Sequence, residues 1–355
     1  MVKARAVVVA LTKGQAAIAM AQNLGLIDHT LKILPTRNEL CIPLARPINE
    51  SESSRLSTRL GPFRIDELEF SPRLRRPRTL AEVLNGRLPP HVAALVPKSF
   101  DIVGHVAIIE LPDQLAPFDE LVGKGVLEVC PNVQTVMAKA GAFSSDYRTR
   151  ELRLIAGEDN SVTCYREHGC VFELDVRTVF FSSRLSHERQ RVASQVQPGE
   201  TVIDMFAGVG PYSILMAKKE PLSTVYAIDA NPSAFKFLVS NILVNKVLSS
   251  VRPMIGDARE IVRLNLSKTA DRVVMNLPWS ALDFVDVACS GLKERGGIIH
   301  FYSFESAATS HEAASAKLEE RVEGSGRELK SISAIRTVKE IAPYRVQVAI
   351  DARVE

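Results

Sequence analysis

Residues 201–211 read TVIDMFAGVGP, an apolar strand that runs through a glycine-rich turn into a proline able to open a helix. Gly208 and Gly210 let the backbone turn sharply and approach a ligand at the amino terminus of that helix. The dinucleotide fingerprint G-x-G-x-x-G is absent, because position 213 is Ser213, and this disfavours a pyrophosphate cofactor. The stretch therefore predicts a strand, a ligand-binding turn and a helix.

Regular alternation of apolar strands and helices surrounds this turn from about residue 177 to the carboxyl end. The strands include STVYAID, VRPMIGD, DRVVMN and GGIIHFYSF, and the segments between them include PSAFKFLVSNILV and ALDFVDVACSGL. Such alternation predicts a doubly wound, mostly parallel sheet. The last two strands, at about 331–339 and 345–351, have no helix between them, so we expect them to form an antiparallel edge.

Three polar side chains follow strands of this predicted sheet. Asp229 lies nineteen residues beyond Gly210, where its carboxylate can accept the hydroxyls of a ribose. Asp257 ends the third strand, in position to accept the amino group of an adenine, and Asn276 follows the fourth. Each residue could be a helix cap. Together, at the edge where open α/β sheets bind ligands, they predict a site for an adenosine-containing cofactor.

The order D-x-F-A-G-x-G, D, D, N-L-P resembles that of the Rossmann-like class I methyltransferases, which use S-adenosylmethionine. This cofactor has no phosphate, in keeping with the missing third glycine. The string Asn276-Leu277-Pro278-Trp279 is similar to the N-P-P-Y-type motif of enzymes that methylate planar nitrogens, which makes Trp279, the single tryptophan, a candidate stacking platform. The resemblance implies cofactor contacts from Arg184, Arg189, Phe206, Gly208, Gly210, Asp229, Ala230, Asp257, Ala258 and Asn276.

Further strings narrow the resemblance. DYRTREL at 146–152, YREHGC at 165–170 and VFFSSRLSHER at 179–189 resemble the archaeal and eukaryotic type of tRNA (guanine-37-N1)-methyltransferases. The similarity runs from about Tyr147 to Trp279 and implies methylation of N1 of the guanosine 3′ of the anticodon. It implies that Glu188 is the general base, that Arg148 stabilises charge on O6, and that Asn276 and Pro278 position the guanine. Phe180 stands where the family commonly has tyrosine, and keeps a ring for substrate stacking.

Other functions stay open at this point. A branch of the same family also methylates the wyosine precursor at position 37, and another relative transfers an aminocarboxypropyl group, which Asn276-Leu277-Pro278 disfavours. A methyltransferase acting on another RNA or on a protein amide has the same fold. An RNA-binding protein with a vestigial cofactor pocket is the alternative from a different class.

The remainder of the chain divides by composition. We expect a small amino-terminal module at 1–60 and a linker at 61–79 within a stretch rich in Ser, Pro and Arg. The resemblance implies that the amino-terminal module contacts the outer corner of tRNA. A middle α+β domain at 80–176 and the Rossmann-like catalytic domain at 177–355 follow. The predicted fold class is thus α/β, with a Rossmann-like domain preceded by two smaller α+β domains.

Composition limits the class of protein. The 355 residues are 46% hydrophobic and 24% charged with a net charge of +3, which excludes wholesale disorder, and no apolar run reaches the roughly 20 residues that cross a bilayer. Five scattered cysteines favour reduced thiols, and the spacing of Cys164, His168 and Cys170 fits no zinc pattern, so no metal is predicted. Without a visible targeting segment, we expect a cytoplasmic protein that binds no membrane. The resemblance implies tRNA as its partner, and we expect a monomer.

Overall fold

The computed structural model describes residues 1–73, 77–143 and 149–355. Two compact units make up the chain, Met1–Arg78 and Thr79–Glu355. No helix within the described ranges is long and apolar enough to span a membrane.

The first unit is a four-stranded antiparallel sheet with two helices. Its elements are β1 (Val2–Ala10), α1 (Gly14–Asn23), β2 (Leu34–Pro35), β3 (Glu39–Pro43), α2 (Glu50–Leu60) and β4 (Arg64–Phe70). The sheet order is β2-β3-β1-β4. The run of valines in β1 is buried on both faces of the sheet, because Val7 and Val9 pack into one apolar cluster and Val8 into another. This explains why residues 6–9 are continuously apolar rather than alternating.

The predicted linker at 61–79 is wrong for much of its length. Residues Arg64–Phe70 form β4, which pairs antiparallel with β1. The preceding Ser- and Arg-rich residues form α2, whose first turn is fixed by a capping box between Asn49 and Glu52. Leu56 and Leu60 bury one face of this helix. The Ser- and Arg-rich composition of the segment comes from the exposed faces of its helix and strand. Among so many polar residues, the four-residue spacing of the two leucines gives only a weak helical pattern.

The second unit begins with a smaller α+β part. Its elements are α3 (Leu80–Leu84), α4 (Pro90–Ala93), β5 (Asp101–Val103), β6 (Val106–Ile109), α5 (Asp119–Val129), β7 (Thr135–Phe143) and β8 (Arg150–Gly157). The strands form a sheet in the order β5-β6-β7-β8, and a separate apolar cluster joins this sheet to the three helices. A hairpin follows, made of β9 (Val162–Glu167) and β10 (Cys170–Asp175). It turns at His168 and Gly169, and both have positive φ.

A seven-stranded sheet with helices on both faces forms the rest of the chain. Its elements are α6 (Ser186–Ala193), β11 (Thr201–Asp204), α7 (Pro211–Lys219), β12 (Thr224–Asp229), α8 (Pro232–Val244), β13 (Val251–Ile255), α9 (Ala258–Asn265), β14 (Arg272–Met275), α10 (Val285–Gly291), β15 (Gly297–Ser306), α11 (Ser310–Gly324), β16 (Leu329–Ala342) and β17 (Arg345–Val354). The order is β13-β12-β11-β14-β15-β17-β16. The first five strands are parallel, and β17 and β16 are antiparallel additions. The predicted α/β class and antiparallel edge are confirmed.

The strand order places the predicted site. Chain order reverses between β11 and β14, and such a switch point leaves a crevice at the carboxyl ends of the strands. The neighbouring strands β12, β11 and β14 end at Asp229, Asp204 and Met275. Side chains that the sequence scatters over more than 70 residues therefore meet at one edge of the sheet. The predicted domains at 80–176 and 177–355 belong to one compact unit, and their boundary stays a prediction.

Candidate active site

The glycine-rich turn after β11 needs each glycine for a different reason. Gly210 has a φ of 92° and caps α7, and a Cβ there would lie 2.6 Å from Cδ1 of Leu238. Gly208 has a φ of 57°, and a Cβ on it would meet only the carbonyl oxygen of Phe180, at 3.9 Å. The space over Gly208 is therefore open, whereas Gly210 is closely packed. A ligand can approach the backbone at Gly208, beside the Phe180 segment.

Asp229 ties the end of β12 to this turn. Its Oδ2 accepts the N–H of Gly208 at 2.6 Å, and its Oδ1 accepts the N–H of Asn231 at 2.9 Å. Burial raises the pKa of Asp229, and the two backbone donors oppose that shift. A carboxylate offers about four acceptor positions, so both oxygens retain capacity for the hydroxyls of a ribose. The next residue, Ala230, is exposed.

Asp204 is buried under the same turn. Ser213 donates to its Oδ2 at 2.6 Å, while its Oδ1 has no hydrogen-bond partner among the described residues. Burial raises its pKa to about 7. An unsatisfied buried acceptor is rare in native proteins. A water, or a donor on a ligand that reaches this side chain, would satisfy the oxygen.

The third strand end combines a cap with an aromatic wall. Asp257 caps α9 by accepting the N–H of Arg259 at 2.7 Å, and the next residue, Ala258, is buried. The ring of Phe284 lies 5.0 Å from that of Phe206, edge to face, and the Arg259 guanidinium lies 3.9 Å from the Phe284 ring centre. Asp257 thus has the helix-capping role that its residue type permits. Contact of Asp257 with adenine stays a prediction.

The Asn-Leu-Pro-Trp motif directly follows β14. Nε2 of the buried Gln347 donates to Oδ1 of Asn276 at 3.4 Å. The Trp279 ring is 51% exposed and stands edge-on to Phe304 at 4.6 Å, with the guanidinium of Arg345 at 5.9 Å. Pro278, between them, is half-buried. An exposed ring held by another ring and flanked by a cation suits stacking with a nucleobase.

Glu188 lies in the first turns of α6 and is 5% exposed. Its two oxygens accept hydrogen bonds from Arg191 at 2.7 and 3.0 Å. The hydroxyl of Tyr302 donates to Oε1 at 2.8 Å, and Arg336 donates to Oε2 at 3.3 Å. The carboxylate therefore accepts four hydrogen bonds. An acid in the first turn of a helix is stabilised by the helix dipole alone, so Glu188 has more partners than its position in α6 requires.

A buried polar network continues beyond Glu188. Arg191 also forms an ion pair with Asp351, and Nδ1 of His300 lies 2.7 Å from Oδ1 of Asp351. Burial would raise the pKa of Asp351, but hydrogen bonds from Arg191 and His300 hold it well below its usual range. Burial lowers the pKa of His300, which favours the neutral imidazole. The ion pair with Asp351 therefore holds the Arg191 guanidinium in place beside Glu188.

The remaining predicted residues have other partners. Arg189 is buried in a two-pronged ion pair with Glu167 at 2.6 and 2.7 Å, which joins α6 to the β9–β10 hairpin. Arg184 is half-exposed and pairs with Asp101 at 2.6 Å. The geometry favours structural roles for both arginines, and their contact with a cofactor stays a prediction. Phe180 is 51% exposed, while Arg148 lies outside the described residues.

Sequence reasoning missed the partners of the predicted catalytic groups. Arg191 had a local signal, since it lies three residues after Glu188 on the same helix face. Tyr302, Arg336 and Gln347 had none, because they reach the site through sheet pairing, Tyr302 from the last parallel strand β15 and the other two from the antiparallel strands β16 and β17. No motif in the sequence marks these three residues.

The doubly wound sheet, the open glycine turn and the polar strand ends define a Rossmann-like methyltransferase. A family model described as the TRM5/TYW2 methyltransferase domain matches residues 163–330, and one described as the TYW2 N-terminal domain matches residues 80–160. A curated relative, the tRNA (guanine(37)-N(1))-methyltransferase Trm5b of Pyrococcus abyssi, is 39% identical over 98% of both chains. The chain belongs to the TRM5/TYW2 methyltransferase family.

Solved structures agree with this assignment. The crystal structure of Trm5b from Pyrococcus abyssi matches with a TM-score of 0.78 at 38% identity over 99% of both chains. A complex of aTrm5 with tRNALeu matches with a TM-score of 0.79 at 28% identity, also over 99% of both chains. TYW2 of Pyrococcus horikoshii, solved with MeSAdo, has a TM-score of 0.65 at 29% identity over 78% of this chain and 97% of its own.

Proposed function

We propose that this enzyme transfers a methyl group from S-adenosylmethionine to N1 of guanosine 37 in tRNA. The observation that carries the proposal is similarity over the full length to a relative that bears this activity in its name. The match to a solved complex with tRNALeu supports a tRNA partner. The match to a relative solved with MeSAdo supports an adenosine cofactor.

The strand register supports the proposed catalytic roles of Glu188 and Asn276. Met275 pairs with Phe301 in adjacent parallel strands, so the following residues, Asn276 and Tyr302, lie side by side where the strands continue. The Tyr302 hydroxyl binds Glu188, so the carboxylate of α6 and the carboxamide after β14 flank the same strand. A base that accepts the N1 proton and an amide that grips the edge of the guanine would both act from this place.

Removal of the N1 proton makes guanine a competent nucleophile and places negative charge on O6. Glu188 would accept this proton, and Asn276 with Pro278 would orient the ring. Arg148, by resemblance, would stabilise the charge on O6. Phe180 and Trp279 would stack on the substrate. S-adenosylmethionine supplies, when bound, a methyl group on a sulfonium that needs no metal for transfer.

The cofactor would be held by the turn and the strand ends. Gly208 allows close approach, Asp229 offers acceptors to the ribose, and Phe206 lies in the aromatic wall beside Asp257. The amino group of the cofactor would offer a donor to Asp204, the first residue of the D-x-F-A-G-x-G string, whose Oδ1 has no partner among the described residues.

The proposal is tested with tRNA transcripts that carry G or A at position 37. We expect methyl transfer only to the G37 transcript, and N1-methylguanosine as the product in nucleoside mass spectrometry. Equal transfer to both transcripts, or none to either, would contradict it. The same mass spectra, taken with tRNA bearing the wyosine precursor, test the dual-methylation alternative.

We also propose a monomeric enzyme that works in the cytoplasm, with the amino-terminal unit on the outer corner of the tRNA. Its arginines are concentrated at 55–78, which gives that unit cations for phosphate contacts. Sedimentation of the enzyme with and without tRNA tests the monomer, since a second copy would double the protein mass in the complex.

A further inference from the structure

The four donors on Glu188 differ in how firmly they are held. Three come from Arg191 and Tyr302, at 2.7 to 3.0 Å, and the Tyr302 side chain is fully buried. The fourth comes from Arg336 on β16, at 3.3 Å, and the Arg336 side chain is 46% exposed. Of these four contacts, the one from Arg336 is thus the longest and lies on the accessible side.

The donors from Arg191 and Tyr302 cannot leave Glu188 without a loss of free energy. Arg191 bridges Glu188 and Asp351, and the Tyr302 hydroxyl also accepts a hydrogen bond from Tyr212 at 3.2 Å. Breaking a buried ion pair is strongly unfavourable, because one charge stays buried without a partner. A pair with an exposed partner contributes little, because water solvates the cation when the pair opens. A substrate donor that approaches Glu188 would therefore displace Arg336 and leave the other donors in place.

The edge of guanine fits the Glu188 carboxylate and the displaced Arg336 guanidinium. Its N1–H donor and its O6 acceptor lie next to each other on the ring, in the plane where a carboxylate and a guanidinium can meet them side by side. We propose that Arg336 is a catalytic residue: it yields Oε2 of Glu188 to the N1–H of the target guanine and donates to O6. This inference rests on the proposed function.

The step balances within the site. The N1 proton passes to Oε2 of Glu188, the electron pair left on N1 forms the bond to the methyl carbon, and the electrons of the methyl–sulfur bond stay on sulfur. The negative charge that develops on O6 is met by the Arg336 guanidinium. Because O6 has two lone pairs, Arg336 can act together with the cation that the family resemblance places at Arg148.

The experiment compares guanosine with 6-thioguanosine at position 37, since sulfur is a weak hydrogen-bond acceptor. Single-turnover transfer is measured for the wild type, Arg336→Gln, Arg336→Lys and the control Arg353→Gln. Arg353 lies on the same hairpin, is 41% exposed and pairs with Glu355 at 3.5 Å, but its strand position is opposite Ile298 at the far end of the sheet. We expect Arg336→Gln to lose about 10²–10³-fold in rate, Arg336→Lys to recover part of it, and Arg353→Gln to stay within about twofold.

A contact between Arg336 and O6 predicts that sulfur affects the wild type and Arg336→Gln by different factors. A purely structural role predicts the same factor for both. Sulfur should slow the wild type by a larger factor than Arg336→Gln, because the variant has only the contact from Arg148 left to lose. If sulfur slows both by the same factor, within about twofold, or if Arg336→Gln keeps its rate, the role of Arg336 is wrong while the proposed function stands. If the folded wild type methylates no G37 transcript, the proposed function fails and this inference with it. Should Arg336→Gln fail to fold, Arg336→Met, which has a side chain of similar length without a donor, gives the same comparison with both substrates.

Discussion

Asp204 is a buried carboxyl whose titration should be visible in the stability of the whole chain. Its pKa is raised by burial from 3.8 to about 7, so the folded chain keeps a proton between about pH 4 and 7 that the unfolded chain releases. This group therefore lowers the free energy of unfolding as pH rises through that interval. We expect Asp204→Asn, which has the same shape without the charge, to increase that free energy at pH 8 by about 2–4 kcal/mol.

Thermal melts from pH 5 to pH 8 would measure this change. The melting temperature of Asp204→Asn should depend less steeply on pH than that of the wild type. Asp286→Asn, which removes a half-exposed carboxylate, is the control and should leave the slope unchanged. An unchanged slope for Asp204→Asn would show that Asp204 is ionised in the folded chain across this range.

Glu188 gives the second residue-scale prediction. Glu188→Gln keeps the size and one acceptor of the side chain but cannot take up the N1 proton, so we expect methyl transfer to fall by at least about 10²-fold. Cofactor affinity should be nearly unchanged, because the cofactor residues lie on the turn and the strand ends. Single-turnover rates and titration calorimetry measure the two quantities. A large loss of cofactor affinity would refute the assignment of Glu188 as the base.

The site residues divide by whether a local pattern marks them. Gly208, Asp229 and Asn276 could be predicted because a glycine turn and polar strand ends depend on nearby sequence and on the general geometry of parallel sheets. Arg336 and Gln347 could not, because their contacts depend on which strands pair and in what register. The linker error at 61–79 has the same origin, since β4 is stabilised by its pairing with β1.

At the scale of elements, the β16–β17 hairpin is part of the site as well as the edge of the sheet. It supplies Arg336 to Glu188, Gln347 to Asn276 and Asp351 to Arg191. Four register shifts interrupt the pairing of β16 with β17, and such irregularities redirect side chains at functional sites. They also blur the alternation of apolar and polar residues, which is why the sequence indicates the strands but not their role.

Burial of Lys339 on β16 lowers the stability of the fold. Its ammonium lies 3.4 Å from the hydroxyl of Ser182, and burial followed by the charge of Arg184 lowers its pKa to about 8. Since the folded chain binds this proton less readily than the unfolded chain, the lysine destabilises the fold below about pH 8, and the effect fades as pH rises toward its ordinary value of 10.5. We expect Lys339→Met to increase the free energy of unfolding at pH 7 by about 1–2 kcal/mol.

Denaturant unfolding at pH 7 and pH 10 would test this expectation. The advantage of Lys339→Met over the wild type should shrink at the higher pH, where the lysine is largely neutral in the folded chain. Lys330→Met changes an exposed lysine of the same strand and should have no such pH dependence. Equal stability of Lys339→Met and wild type at pH 7 would contradict the prediction.

For the whole molecule, the net charge of +3 is an average over surfaces with different tasks. In the amino-terminal unit, Arg55 and Arg59 are exposed and four residues apart on α2, so they share one face of that helix. If this unit binds the outer corner of tRNA, reversal of both charges should weaken binding of full-length tRNA. The slope of log affinity against log salt should also become shallower, by about one unit for each phosphate that is no longer neutralised.

The discriminating comparison for Arg55→Glu with Arg59→Glu is between two substrates. A short anticodon stem-loop lacks the outer corner, so its rate of methylation should be the same in the variant and the wild type. Full-length tRNA should bind the variant more weakly at low salt, where counterion release contributes most. An equal effect on both substrates would mean that α2 affects the catalytic unit directly. No effect on either substrate would mean that α2 has no part in tRNA recognition and that other parts of the chain bind the tRNA.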